Sequence, residues 1–110
     1  MRDKNPILYI RDILEAIQRI DQYLKDLSYD EFIKDHKTVD AVIRNYEIIG
    51  EAAKNISTDI KHENPGIAWK RMIGMRDKLV HEYFGVDTKI LYDTYKTDLK
   101  ESKPKLEQLL

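Results

Sequence analysis

Apolar side chains recur at intervals of three and four along most of this chain and nowhere alternate in twos, which commits it to helices rather than sheet. Ile7, Ile10, Ile13, Leu14, Ile17, Ile20 and Leu24 hold that spacing to about Leu27, with Arg11, Glu15, Arg19 and Lys25 outside the stripe. Asn5 followed by Pro6 starts this first long helix: a side-chain acceptor, then a residue whose missing N–H costs nothing at the first helical position. Ser28 is placed to cap a short helical turn through YDEFIKD, with Phe32 and Ile33 covering one end of the core.

A second long helix is expected from His36–Val39 to about Ile56. Val39, Val42, Ile43, Tyr46, Ile49, Gly50 and Ala53 share one arc, and Ala41, Ile48 and Ala52 form a weaker strip that implies a second packing partner. Gly50 in the middle of IIGEAA reads as a close helix crossing, since a mid-helix glycine costs about 1 kcal/mol against alanine. STDIKHENPG reads as the end of that helix, with Asn64-Pro65-Gly66 as the clearest turn. A third helix is expected from Ile67 to Tyr83, ended by Gly85. A fourth is capped by Asp87 or Thr88 and carries Ile90, Leu91, Tyr95 and Leu99, and Pro104 is expected to bend or interrupt it. Leu106, Leu109 and Leu110 leave a greasy last face. Without repeats or low-complexity sequence, 110 residues make a single domain over 1–110, an all-α antiparallel bundle of four to five helices.

Chemistry collects in the stretch WKRMIGMRDKLVHEYFG, from Trp69 in the third helix to the Gly85 that ends it. Wound at roughly 100° per residue, Leu79, Met72, Trp69, Val80 and Ile73 fall on one arc, and Arg76 lands in the middle of it. A guanidinium does not shed its charge, so on such a stripe it must be paired, hydrated in a cleft or turned toward another subunit. Taken alone, Arg76 reads first as a structural ion pair to Glu47 or Glu51 of the second helix and only second as a site. Asp77 and His81 stand one turn apart, so the carboxylate can orient the imidazole or hold it protonated. Tyr83 returns to nearly the face of Arg76 two turns on.

Composition narrows the partners. Charged residues make up 35% of the chain but the formal net charge is −1, so any affinity for nucleic acid has to be local. Lys70, Arg71, Arg76 and Lys78 make the third helix basic while the remainder leans acidic. The absence of cysteine removes disulfides and thiolate metal sites, and three scattered histidines have no metal-ligand spacing. The N-terminus lacks a signal peptide's apolar core, and no apolar run approaches the roughly 20 residues that span a bilayer. A soluble, cytoplasmic protein without membrane contact is expected.

The order of these features resembles the minimal HEPN domains of HepT type, the toxin halves of HEPN–MNT toxin–antitoxin pairs. The resemblance rests on RNYEIIGEAAKNIS (Arg44 to Ser57), on Pro65 with Trp69, and on GMRDKLVHEYF (Gly74 to Phe84). An arginine followed four to six residues later by a histidine arises by chance about 0.5 times in such a chain, so the surrounding pattern carries the match. Arg76, Asp77 and His81 form the family's hallmark, and Tyr83 completes its extended form. Asp77 stands where many relatives carry asparagine.

What the resemblance implies is a homodimer whose two copies of this segment form a composite, metal-independent ribonuclease site. Arg76 would bind phosphate, His81 would carry protons, Asp77 would orient His81, and Lys70, Arg71 and Lys78 would hold RNA, either transfer or messenger. Glu51 is a candidate polar partner for Arg76. The family also implies an MNT-type nucleotidyltransferase antitoxin that places AMP on Tyr83. That nucleotide belongs to the partner, so the chain is expected to have no cofactor of its own. The contrasting expectation is a non-catalytic helical adaptor that binds the nucleotidyltransferase or presents nucleotides to it.

Overall fold

The computed structural model describes residues 5–81 and 85–110. Helix α1, Pro6–Leu24, begins as the Asn5-Pro6 pair dictates: the Asn5 side chain accepts from the Ile7 N–H at 3.0 Å. It ends three residues before the expected Leu27, with Ile10, Ile13, Ala16, Ile17, Ile20 and Leu24 buried. Ser28 then opens α2, Tyr29–Lys34, through a reciprocal capping box with Glu31, and Phe32 closes that end of the core. Asp35 caps α3, His36–Lys54, by accepting from the Thr38 N–H at 3.1 Å.

Helix α3 is the central rod. It packs along α1 on one face and α5, Trp69–His81, on another, which accounts for its two apolar strips. Gly50 faces Met72 and Arg76, whereas Arg44 and Glu47, nearer the start of α3, share a groove with Val80, nearer the end of α5. The two helices therefore run antiparallel. The last rod is α6, Thr88–Thr94, a π-helical turn at Tyr95–Leu99 and α7, Lys100–Glu107, and it lies against α1, α2 and α3. Three phenols fix it there. Tyr46 donates to the Leu91 carbonyl at 2.7 Å, Tyr92 to the Leu27 carbonyl at 2.6 Å and Tyr95 to the Asp21 carboxylate at 2.7 Å. Burial pushes the Tyr46 phenol far above its ordinary range, so this donor stays protonated.

Two expectations need correcting. STDIKHENPG is not only a terminator, for Thr58–Glu63 forms a further helix, α4, capped by the Ser57 hydroxyl accepting from the Ile60 N–H. Its one apolar contact, Ile60, is too little to leave a periodic signal. Pro104 does not interrupt its helix, because α7 runs through it to Glu107. The irregularity comes earlier, at the π-helical turn, where N–H groups bond five residues back instead of four. The expected turn at Asn64-Pro65-Gly66 is present, and the Trp69 indole N–H donates to the Asn64 carbonyl across it. Among the described residues every regular element is helical, and no helix is long and apolar enough to cross a membrane.

Candidate active site

The site starts from a missing side chain. A Cβ on Gly50 would overlap the Arg76 Cβ and lie 2.8 Å from the Met72 carbonyl oxygen and 2.9 Å from the Arg76 Cγ. Only glycine lets α3 and α5 approach this closely, and the space it leaves holds the stem of Arg76. The arginine is thus anchored by packing along its aliphatic part and only 26% exposed, while its head emerges into a groove of about 280 Å³ between the helices. Arg44, Glu47, Ile48 and Glu51 line that groove from α3, with Arg76 and Val80 from α5.

The guanidinium has two acidic neighbours. Nη2 lies 3.3 Å from Glu51 Oε2, and Nη1 donates to Asp77 Oδ1 at 3.2 Å. The expected partnership of Arg76 with Glu51 is therefore present as geometry. Both acids face water, at 57% and 51% exposure, so they hold the charge in place without enclosing it.

Asp77 was expected to orient His81, and here it does not. Its carboxylate turns to the adjacent guanidinium, where a hydrogen bond between two charged groups outcompetes the imidazole one turn away. His81 is exposed at the end of α5, and its imidazole bonds to no described residue. Five residues of helix also turn it roughly 140° from Arg76, so within one chain the two do not converge on a point. Exposed Lys70 shares the face of Asp77 and His81, at helical spacings of seven and four.

The other two basic residues lie elsewhere. Arg71 crosses to the C-terminal rod and donates from Nη1 to both oxygens of Asp98 at 3.1 Å. Lys78 borders a different, apolar groove with Leu79, Val86 and Leu91. The structure thus brings Arg76, Glu51 and Asp77 together, keeps Lys70 and His81 on the next face, and places Arg71 and Lys78 on the far flank. Tyr83 lies outside the described residues. Arg44 was not singled out from sequence; its spacing of seven from Glu51 on α3 was the signal. Among the described residues no cluster of histidine, cysteine, aspartate and glutamate is arranged to hold a metal ion.

Comparison with known proteins finds relatives along nearly the whole chain. The model of the HepT-like ribonuclease family matches residues 13–109. A Thermococcus cleftensis protein named "Probable ribonuclease HepT" is 48% identical over 101 residues, covering 92% of each chain. Two candidate RNases of Methanocaldococcus jannaschii are also similar. One is 38% identical across 100% of this chain and 91% of its own, the other 43% identical across 99% and 92%. No solved structure gives a significant match. With the family's model covering nearly the whole chain and relatives matched end to end, this protein belongs to the HepT-like ribonuclease family.

Proposed function

We propose that this chain is the endoribonuclease toxin of a HEPN–MNT toxin–antitoxin system, cytoplasmic and active as a homodimer that cleaves RNA without a metal. The observation that carries the reading is Arg76: a guanidinium anchored by its stem against Gly50, opening to a groove and held only by water-facing acids. A phosphate offers two oxygens to the same planar fork and can displace Glu51, whose carboxylate is free to swing into solvent.

The cleavage is an internal transesterification. A base removes the proton of the ribose 2′-hydroxyl, the 2′-oxygen bonds to phosphorus, and the bond to the 5′-oxygen breaks as an acid protonates that oxygen. The products are a 2′,3′-cyclic phosphate and a 5′-hydroxyl. Arg76 stabilises the charge gathered on the phosphoryl oxygens, and the His81 imidazole, with one nitrogen that can accept a proton and one that can donate, is the group that moves protons. The angle between them on one helix supports a composite site, because a second copy can bring its histidine to the phosphate that the first copy's arginine holds. Two protomers supply two imidazoles, one for each proton.

Control follows the same chemistry. AMP added to Tyr83 by a nucleotidyltransferase antitoxin would add a phosphodiester anion and a bulky base two residues past His81, and that anion would compete with RNA phosphate for Arg76. The test is incubation of the partner-free protein with total cellular RNA in the presence of a chelator. The parent should cut, and Arg76→Ala and His81→Ala should each cut about 10²- to 10³-fold more slowly. If both variants match the parent, the assignment is wrong. A parent that binds a nucleotidyltransferase yet never cuts RNA would be an adaptor instead.

A further inference from the structure

We infer that Arg44 is a second phosphate-binding residue of this groove, gripping the RNA backbone one phosphate away from the scissile one. The inference rests on the ribonuclease reading above and adds to it a residue on a different helix.

Three observations lead there. Arg44 lines the same groove as Arg76, on the opposite wall, with Ile48 and Val80 as apolar surface between the two arginines. It is exposed and, among the described residues, its guanidinium has no hydrogen bond or ion pair. Arg76, by contrast, has two acidic neighbours, Glu51 and Asp77. Glu47 lines the groove one turn from Arg44 but makes no ion pair with it, so a strand entering the groove meets at Arg44 a guanidinium that no acid holds.

The register fixes where that charge sits. With Gly50 set against Arg76 and the helices antiparallel, six residues back along α3 brings Arg44 about 9 Å toward the end of α5, to the height of Val80 and His81. Two long, jointed side chains can close that backbone separation to the spacing of neighbouring phosphates. A second cation at this height would also align the strand along the groove, so that the ribose joined to the phosphate at Arg76 presents its 2′-hydroxyl to the imidazole of the second copy. Arg44 acts through the position of the backbone and touches none of the reacting atoms. It is a positioning residue, and its loss should appear in binding rather than in the chemical step.

The test uses the full chain and a single-stranded RNA oligonucleotide that the parent is first shown to cut. Binding is measured in a His81→Ala background across a salt series, and steady-state cleavage in the otherwise unmodified chain. Arg44→Ala should weaken binding about tenfold and reduce the slope of log affinity against log salt by about 0.7, the share of one single-strand phosphate. In the cleavage assay KM should rise with kcat within about twofold. Arg44→Lys keeps the charge and should restore the salt slope. Sedimentation of each variant reports the oligomeric state. Unchanged affinity and slope in Arg44→Ala would overturn the inference while the parent's cutting left the ribonuclease reading intact. So would a loss of binding accompanied by a drop in oligomeric mass, which would make Arg44 a contact between subunits. A parent that neither binds nor cuts RNA would remove both.

Discussion

Among the described residues two arginine–carboxylate pairs tie α5 to other helices, one on each flank, and they are built in opposite senses. On the flank toward the C-terminal rod, Arg71 is 74% exposed and its acid, Asp98, only 15%. On the flank toward α3, Arg76 is 26% exposed and its acid, Glu51, 57%. The first pair is a staple: the acid is fixed in the fold and largely removed from water, so the mobile arginine must remain to compensate it. The second is a holder: the arginine is fixed and the acid is mobile, so an incoming anion can take the acid's place without stranding a charge. Which partner is buried thus separates a structural ion pair from a binding site, although the two look alike as distances.

The most severe way to break the second flank is to fill the space it depends on. Gly50→Ala would force α3 and α5 apart, because the new methyl group has backbone on one side and the Arg76 stem on the other. We expect a loss of about 2–3 kcal/mol in denaturant unfolding, with RNA cleavage reduced further than the stability loss explains, since the displaced helix carries Arg76 with it. Wild-type stability in this variant would mean that the crossing is not closely packed.

The two pairs can then be set against each other directly. Arg71→Ala leaves the Asp98 carboxylate without its partner and should cost about 1–2 kcal/mol of stability while cleavage stays within about twofold. Glu51→Gln removes an exposed partner and should change stability by less than about 0.5 kcal/mol. It should also lower KM for RNA two- to threefold, because the phosphate no longer competes with a carboxylate for Arg76. Chemical denaturation and steady-state kinetics on both variants decide it, and the reverse pattern would exchange the roles of the two flanks.

Much of this arrangement was legible before any coordinates. The long helices, the caps at Asn5 and Ser28, the close crossing at Gly50 and the out-of-place cation at Arg76 all follow from local spacing and residue chemistry, and of the two candidate caps Asp87 and Thr88 it is Asp87 that caps α6. What stayed hidden depends on choices that spacing leaves open. Asp77 can face either the residue before it or the one a turn later, and a charged neighbour decided that contest. Arg71 and Lys78 were grouped with Arg76 by charge, although roughly 140° and 160° of helical rotation separate them from it. Arg44 became visible only when the antiparallel register of α3 and α5 put it across the groove from Arg76. Helix α4 was missed because a cap and one half-buried isoleucine suffice to hold so short an element.

Gly74 supplies the gentlest test, and it isolates packing from composition. It sits on the same helix as Arg76 and is a glycine like Gly50, but a Cβ added to it would meet nothing within 4 Å. Its cost to the helix is therefore the entropic one alone, with no compensating approach of another backbone among the described residues. Gly74→Ala should raise stability by about 0.5–1 kcal/mol in the monomeric unfolding reaction, opposite in sign to Gly50→Ala. If the bundle's outer face near Gly74 meets a second chain, the same methyl group would instead weaken association, and the stability gain would vanish as protein concentration rises. Measuring the unfolding midpoint at two concentrations separates these outcomes and shows whether the smallest residue on α5 serves this chain or its contact with another.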